Sequence, residues 1–342
     1  MRRRRWEQEI EPWFVRHGLP YFVPEERERA RRSLRPRTTV PLMALVALAA
    51  VAAAWALTEL TGQASFAPAT LTLIAVLAAL LYAVTALRAR PILVWALRRT
   101  RGSLRQLLQM VTRALPLLLL FITFLFINAE VWQLSATLDG SVLWLTLLLF
   151  GAIAVGFLLV RLPEEVDKVD DFIDVDLVRR ATRATPIEEP VRAILDERAD
   201  ELPLQRYGDV QGYERWNLIL VLLVTQAAQV LLLALAVLGF FVLFGAIVMD
   251  PEVQAAWTGE QDVEELRNLG NLSVELLQVS VFLAAFSGLY FAVAVMTDET
   301  YKEQFFSEVL HELERAVGVR AGYLALRDAD GSGRETTADT AG

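Results

Sequence analysis

The apolar stretch "WNLILVLLVTQAAQVLLLALAVLGFFVLFGAIVM", residues 216–249, decides the class of this protein. It continues for 34 residues without a charge, whereas a helix needs only about 20 apolar residues to cross the hydrocarbon core of a bilayer. Helices and closed barrels are the only structures that satisfy their backbone polar groups in lipid. A helix of this length rises about 51 Å at about 1.5 Å per residue, so we expect it to tilt, break or protrude.

Five more apolar blocks surround this stretch in a chain whose residues are 55% hydrophobic. The predicted transmembrane helices are residues 40–58, 69–87, 115–134, 142–162, 216–249 and 272–296. The third block is the least regular because Asn128 and Glu130 fall within it. The sequence therefore predicts an all-α, polytopic helical membrane protein with six transmembrane helices.

The charges indicate how these helices are oriented. All but one of the 33 Lys and Arg residues lie in the N-terminal arm, the connections after the second and fourth helices, and the C-terminal segment; the exception is Arg267. The opposite face is acidic, with Glu59, Glu130, Asp139, Asp250, Glu252, Glu260, Asp262, Glu264 and Glu265. Because cytoplasmic loops hold the basic residues, we expect both termini in the cytoplasm. The preference for arginine and alanine is typical of a GC-rich bacterial genome, which would place the protein in the cytoplasmic (inner) membrane.

Two basic segments are predicted to contact lipid. Residues 1–39 form an arm whose aromatic and arginine side chains suit the headgroup layer. The connection at residues 88–114 has the pattern of a basic amphipathic helix on the inner leaflet. Its candidate lipid-binding residues are Arg98, Arg99, Arg101 and Arg105. The alternative is ordinary positive-inside charge without lipid specificity.

The remaining cytoplasmic segments are predicted to be mostly helical. Residues 163–215 have the pattern of an acidic helical connection that is too small to be an independent domain. Residues 297–326 predict an amphipathic helix that extends the sixth transmembrane helix and either docks on the other cytoplasmic helices or self-associates. Residues 327–342 are polar and are expected to be a disordered tail.

Two aspartate-rich motifs raise the question of metal binding. "DDFID" at residues 170–174 matches the DDxxD pattern of aspartate-rich prenyltransferases, but no second aspartate cluster accompanies it, so we interpret it as a solvated acidic face. "DADGSGRETTAD" at residues 328–339 resembles the start of a calcium-binding EF-hand loop. Its weak candidate ligands are Asp328, Asp330, Ser332 and Asp339. The final ligand is Asp rather than Glu, and a flexible tail is the favoured interpretation.

The fifth and sixth predicted helices carry polar residues where lipid should be. Gln226 and Gln229 share one face of the fifth helix, and Glu275 and Gln278 share one face of the sixth. Polar side chains bond across helix contacts in membranes, so the two helices are expected either to pack through these residues or to line a hydrated path with them.

The chain as a whole resembles uncharacterised six-span integral membrane proteins of high-GC actinobacteria. The likeness rests on "WFVRHGLPYFV" in the arm, "TRALPLLLLF" at the start of the third helix, and the glutamine-bearing fifth helix. It implies a topology and no activity.

No catalytic motif accompanies this topology, and no cofactor or nucleic-acid partner is expected. We therefore expect a non-enzymatic membrane scaffold or assembly component that presents cytoplasmic helices to lipid or protein partners, with homo-oligomerisation as one form of assembly. The alternative is a channel or transporter with a polar path along helices five and six.

Overall fold

Every regular element in the described part of the chain is helical, which confirms the all-α prediction. The structure is a computed structural model. It describes all residues except 1–4, 34–35, 62–65, 86–89, 103–117, 139, 171–172, 260–262, 264–270, 300, 303–305 and 340–342.

The α-helices are α1 (Arg5–Arg16), α2 (Pro24–Ser33), α3 (Pro36–Thr61), α4 (Phe66–Thr85), α5 (Arg90–Gly102), α6 (Leu118–Phe126), α7 (Ala129–Ala136), α8 (Gly140–Asp170), α9 (Val175–Ala181), α10 (Glu188–Arg198), α11 (Leu204–Gly208), α12 (Gly212–Val248), α13 (Pro251–Thr258), α14 (Val274–Thr297) and α15 (Ser307–Asp339). Short 3-10 turns lie at Pro20–Phe22 and Ala199–Glu201.

Three of the described helices are long and apolar enough to cross a membrane. They contain the segments Ser141–Val169, Gly212–Val248 and Val274–Thr297, and the bent pair α6 and α7 makes a fourth if it counts as one span. The first two predicted spans are helical as well, in α3 and α4, which pack against each other. Six spans remain the prediction of the sequence.

The centre of the membrane region is the antiparallel pair α12 and α14, with α8 packed against both. Small residues bring the pair together. Gly245 lies so close to Leu276 that an added Cβ would stand 2.3 Å from its Cδ1, and Gly288 lies beside Val230 and Ala234. Because small residues let helix backbones approach closely, these glycines fix the register of the two helices.

The third predicted span is not one continuous helix. The axes of α6 and α7 differ by 71°. Asn128 lies at the break, where its side chain accepts a hydrogen bond from the Glu130 amide at 2.8 Å and so caps α7. The Trp132 indole donates to the Phe126 carbonyl at 2.7 Å, so a backbone acceptor freed by the bend is satisfied.

A group of helices outside the apolar bundle, here called the cap, covers the Gly212 end of α12. It consists of α1, α2, α9, α10, α11 and α15 together with the turn at Pro20–Phe22. All of these elements except α2, which packs against the turn, contribute to one buried core. Core residues from the arm, the connection and the C-terminal helix are Ile10, Trp13, Phe14, Phe22, Leu177, Val178, Ile187, Val191, Leu195, Leu313, Val317 and Tyr323. The aromatic side chains of the arm are therefore buried in protein, and the expectation that they lie in the headgroup layer is wrong.

The C-terminal amphipathic helix docks on this cap. Its predicted apolar face is buried at Phe306, Leu313 and Val317. It is not an extension of the sixth transmembrane helix, because α14 ends at an extended residue, Asp298. The helix then continues past Arg327, where the sequence predicts a disordered tail, as far as Asp339.

The contact between α15 and α9 is close enough to test with one methyl group. A Cβ added at Gly318 would stand 2.5 Å from the Ala181 Cβ, which has no flexible end to move aside. We predict that Gly318→Ala lowers the free energy of unfolding by about 1–3 kcal/mol through overpacking, as measured by denaturation in detergent. The control is Gly239→Ala in α12, where nothing lies within 4 Å of the added atom. Equal stability of both variants would contradict the close contact.

Candidate functional site

A buried carboxylate in the first turn of α12 joins three distant parts of the chain. Glu214 forms ion pairs with Arg27 of α2 at 2.9 Å and with Arg320 of α15 at 2.6 Å. Arg320 also donates to the backbone carbonyl of Tyr207 in α11. Two cations compensate the cost of burying this charge. The junction therefore attaches the arm, the connection and the C-terminal helix to the longest membrane helix.

A second buried polar residue reinforces the junction one turn further along α12. The Asn217 side chain accepts from the Tyr21 amide at 2.8 Å and donates to the Gly18 carbonyl at 2.7 Å. Gly18 has φ +76°, and an added Cβ would stand 3.3 Å from the Trp95 ring of α5. This backbone suits glycine, and the close approach holds the arm between α5 and α12.

A second junction, separate from the one at Glu214, contains the only two lysines of the chain. Lys168 and Lys302 both contact Oε1 of the buried Glu165, at 2.8 Å and 2.7 Å. Lys302 lies in the segment between α14 and α15, whereas Glu165 lies in the last turns of α8. Beside them, Arg215 pairs with Asp167 at 2.7 Å and bridges α12 to α8.

Burial shifts the pKa values of three titratable side chains in the cap. Burial raises the pKa of Tyr21 to about 12. Burial, together with the hydrogen bond that its hydroxyl donates to Asp328 at 2.7 Å, raises the pKa of Tyr207 to about 12. Burial lowers the pKa of His17, whose Nδ1 lies 2.8 Å from the Trp13 carbonyl oxygen. Each shift favours the neutral form of a side chain inside the cap.

Of the predicted intramembrane glutamines, Gln226 is buried, Gln229 and Gln278 are half-buried, and all three have few partners among the described residues. Gln226 is 1% exposed, and neither its amide oxygen nor its nitrogen has a hydrogen-bond partner among the described residues. The amide oxygen of Gln229 likewise has none there. On α14, Glu275 is buried and Gln278 is half-buried, with its amide nitrogen 3.5 Å from the Leu138 carbonyl.

These two pairs do not meet, so the expectation of a polar contact between them is wrong. The antiparallel register places Glu275 beside the Gly245 turn of α12, which is about 29 Å along the helix from Gln226. Between them the contact of Gly288 with Val230 and Ala234 is apolar, and the buried polar side chains of α14 are Ser280 and Ser287, whose hydroxyls are small. A cavity of about 350 Å³ between α8, α12 and α14 is lined entirely by apolar residues and glycine and includes none of the predicted polar residues.

The arginine-rich segment is helical over its first half. Arg98 is exposed on α5, which packs against α12 and α1. Arg99 and Arg101 also belong to α5, and Arg105 lies outside the described residues. The buried anchor of this helix is Ile92, which is almost completely enclosed.

The candidate calcium loop is part of a helix. The residues Asp328, Asp330, Ser332 and Asp339 all belong to α15, whereas an EF-hand needs a turning loop whose backbone wraps around the ion. In the described residues no three His, Cys, Asp or Glu side chains form a cluster suited to a metal.

The DDxxD motif is divided between two elements. Asp170 ends α8, Asp171 lies outside the described residues, and Asp174 caps α9 by accepting from the Leu177 amide at 2.6 Å. The last aspartate therefore has a structural role as a helix cap.

In comparisons of sequence and of structure, no family model, no curated protein and no solved structure matches the chain. The resemblance to actinobacterial six-span proteins stays a prediction. The geometry of the chain, a cap held to a membrane helix by buried ion pairs, is the main guide to function.

The Glu214 junction predicts a strong dependence of stability on one carboxylate. Glu214→Ala leaves Arg320 buried without its carboxylate, so we expect the free energy of unfolding to fall by about 3 kcal/mol. The matched control is Asp196→Ala, which removes the exposed partner of Arg179 at 2.8 Å and should cost less than about 1 kcal/mol. Denaturation in detergent measures both. A loss for Glu214→Ala no larger than the control would contradict the junction.

Two buried glutamines on neighbouring elements allow a second comparison. Gln254 makes three hydrogen bonds, to the Met249 and Asn271 carbonyls and to the Ser273 hydroxyl, whereas Gln226 makes none among the described residues. Because an unsatisfied buried amide costs about 1–3 kcal/mol, Gln226→Leu should maintain or raise the unfolding temperature and Gln254→Leu should lower it. A large loss in Gln226→Leu would show that its amide has a partner.

Proposed function

We propose that this chain is a non-enzymatic integral membrane protein, a scaffold or assembly component whose helices hold a cytoplasmic cap for lipid or protein partners. The observation that carries this function is the Glu214 junction, which ties α2, α11 and α15 to α12 through buried charge. Because the same helix forms the centre of the membrane region, a partner that binds the cap would be anchored directly to the bundle.

The length of α12 between its polar ends supports a transmembrane position. At one end Asn217 binds the arm, and at the other the Asn271 side chain donates to the Ala246 carbonyl at 3.2 Å. The distance along the helix is about 44 Å, close to the thickness of about 40–45 Å for a bilayer with its headgroups. In this position Gln226 lies about 14 Å from Asn217, in the half of the membrane nearer the cap.

The proposed topology has six transmembrane helices with both termini and the cap in the cytoplasm, in the inner membrane of a bacterium. It is supported by the position of the basic residues, since cap elements such as α2 and α9 end in arginine pairs. The arginines of residues 98–105 stay the proposed contacts for the anionic inner leaflet. Partner proteins, including a second copy, would bind through helices of the cap.

A hydrated path along helices five and six has less support than a scaffold. Between the two polar pairs, the contact of Gly288 with Val230 and Ala234 is apolar, the buried polar side chains of α14 are the small Ser280 and Ser287, and the cavity beside them is apolar. A path for ions or polar solutes needs polar groups or water along its length. The packing therefore favours a closed bundle.

Single cysteines can test the orientation because the natural chain has none. We expect Glu252→Cys, exposed on α13, to react with an impermeant thiol reagent in intact cells. We expect Arg183→Cys, exposed in the cap after α9, to react only after the membrane is opened. Labelling of Arg183→Cys in intact cells would reverse the topology, and each variant serves as the other's control.

The function itself is tested by flux. Purified protein in liposomes should pass ions and small solutes no faster than protein-free liposomes, because the cavity along α12 and the helix contact at Gly288 are apolar. Flux through the wild-type protein that is lost in Gln226→Leu, with the bundle still folded, would replace the scaffold by a channel or transporter. Gln254→Ala is the control. It lies beyond the end of α12 and should destabilise the fold, so its flux shows how much is lost through destabilisation alone.

A further inference from the structure

We propose that the groove between α8, α12 and α14 binds one anionic phospholipid, with an acyl chain in the groove. The phosphate binds on the cap side, at a cationic cluster that consists of Arg161, Lys168, Arg215 and Lys302. This site is separate from the arginines of α5. It requires only that these three helices lie in a bilayer, and it would stand even if the cap had another role.

The groove is an apolar space that small residues create. Its volume is about 350 Å³, which is within the range of small-ligand sites, about 300–1,000 Å³. A Cβ added at Gly151 would have no atom within 4 Å, so side-chain-sized space lies next to this glycine. Leu231 and Leu235 line the groove and are 59% and 53% exposed. The groove is therefore open towards lipid at its side.

The dimensions of the groove suit a single acyl chain. Along α8 it extends from Leu147 to Leu158, about 17 Å, which is close to half the thickness of a hydrocarbon core of about 30 Å. A transmembrane helix from a second copy is about 10–12 Å wide with its side chains and does not fit within this volume. A flexible chain one leaflet long does.

Positive charge lies beyond the cap-side end of the groove, at Glu165 and its lysines, about 10 Å past Leu158 along α8. Gly151, Leu158 and Glu165 follow one another at intervals of seven residues on α8, so they lie on one stripe of the helix. Lys168 and Lys302 are bound to Glu165 at the end of this stripe. Each ammonium group has three donors and the bond to Glu165 uses one, so donors remain for a phosphate group.

The cations at this end outnumber by one the carboxylates that contact them. The cations are Arg161, Lys168, Arg215 and Lys302, and the carboxylates in contact with them are Glu164, Glu165 and Asp167. At the opposite end, α14 continues from Val281 to Gln278 and Glu275, and a carboxylate does not favour phosphate. The headgroup therefore belongs on the cap side.

Selectivity should come from the headgroup. Lipid tails are as apolar as the residues of the groove, so the chain gains packing but little hydrophobic free energy over its place in the bilayer. Charge attraction between the cluster and an anionic headgroup is the larger difference between lipids. We expect a preference for phosphatidylglycerol over phosphatidylcholine with the same chains.

The test compares two leucine variants of the full-length protein. Purified protein is incubated in detergent with equal amounts of phosphatidylglycerol and phosphatidylcholine, and retained lipid is counted by native mass spectrometry. The wild type should retain one phosphatidylglycerol. Gly151→Leu fills the groove and should reduce retention at least about tenfold. Gly156→Leu, on the same helix with equally open space but outside the groove, should retain lipid as the wild type does.

The charged end needs its own variants. Arg161→Gln with Lys168→Gln should bring the ratio of the two lipids close to one, whereas Arg192→Gln, in an exposed pair of the cap, should leave it unchanged. Replacing Arg98, Arg99, Arg101 and Arg105 with glutamine should also leave retention unchanged, because none of these residues lines the groove or belongs to the cationic cluster.

Several outcomes would overturn the site. These are equal retention by Gly151→Leu and Gly156→Leu, no preference for phosphatidylglycerol in the wild type, loss of retention in the α5 arginine variant, or a lipid-free dimer that Gly151→Leu dissociates. If Gly151→Leu does not fold, Ala227→Leu is used in its place. Ala227 is exposed on the groove lining of α12, so a leucine there fills the same space.

Discussion

The burial of Glu214 is the interaction on which the arrangement of this protein depends. A carboxylate at the end of an apolar helix can stay charged inside protein only if cations reach it. Here those cations come from Arg27 and Arg320, which are near the two ends of the chain. Satisfying one charge thus requires the arm and the C-terminal helix to converge on α12, and the apolar faces of α9, α10 and α15 are buried together as a result.

The sequence predicts the elements of this structure better than their contacts. Long apolar runs specify helices directly, and the observed α12, Gly212–Val248, begins four residues before the predicted run and ends one residue before it does. The break of the third span at Asn128 is visible beforehand as a polar residue in an apolar block. The partners of Glu214 are not visible, because ion pairs between residues more than 100 positions apart leave no periodic signal.

The predictions about the arm aromatics and the glutamines, which the structure contradicts, failed for one physical reason. Aromatic and arginine residues near a membrane satisfy the same rule whether they face lipid headgroups or a protein cap, so the arm aromatics could not be assigned from composition. The same holds for the glutamines. An amide in an apolar helix must avoid lipid, but the rule does not say which helix it faces. The positions of Gly245 and Gly288 determine the register, and that register separates Gln226 from Glu275.

Polar contacts at both ends of α12 explain how an apolar helix of this length keeps one position. Between Asn217 and Ala246, the packing of small residues is the main described contact that resists sliding in lipid. At the far end Gln254 binds the Met249 and Asn271 carbonyls, and at the cap end Asn217 binds the arm. Each contact uses backbone groups that water would otherwise have to satisfy. Displacing α12 along its axis would break both at once, so the cap and the far-end helices hold the membrane helix from opposite sides.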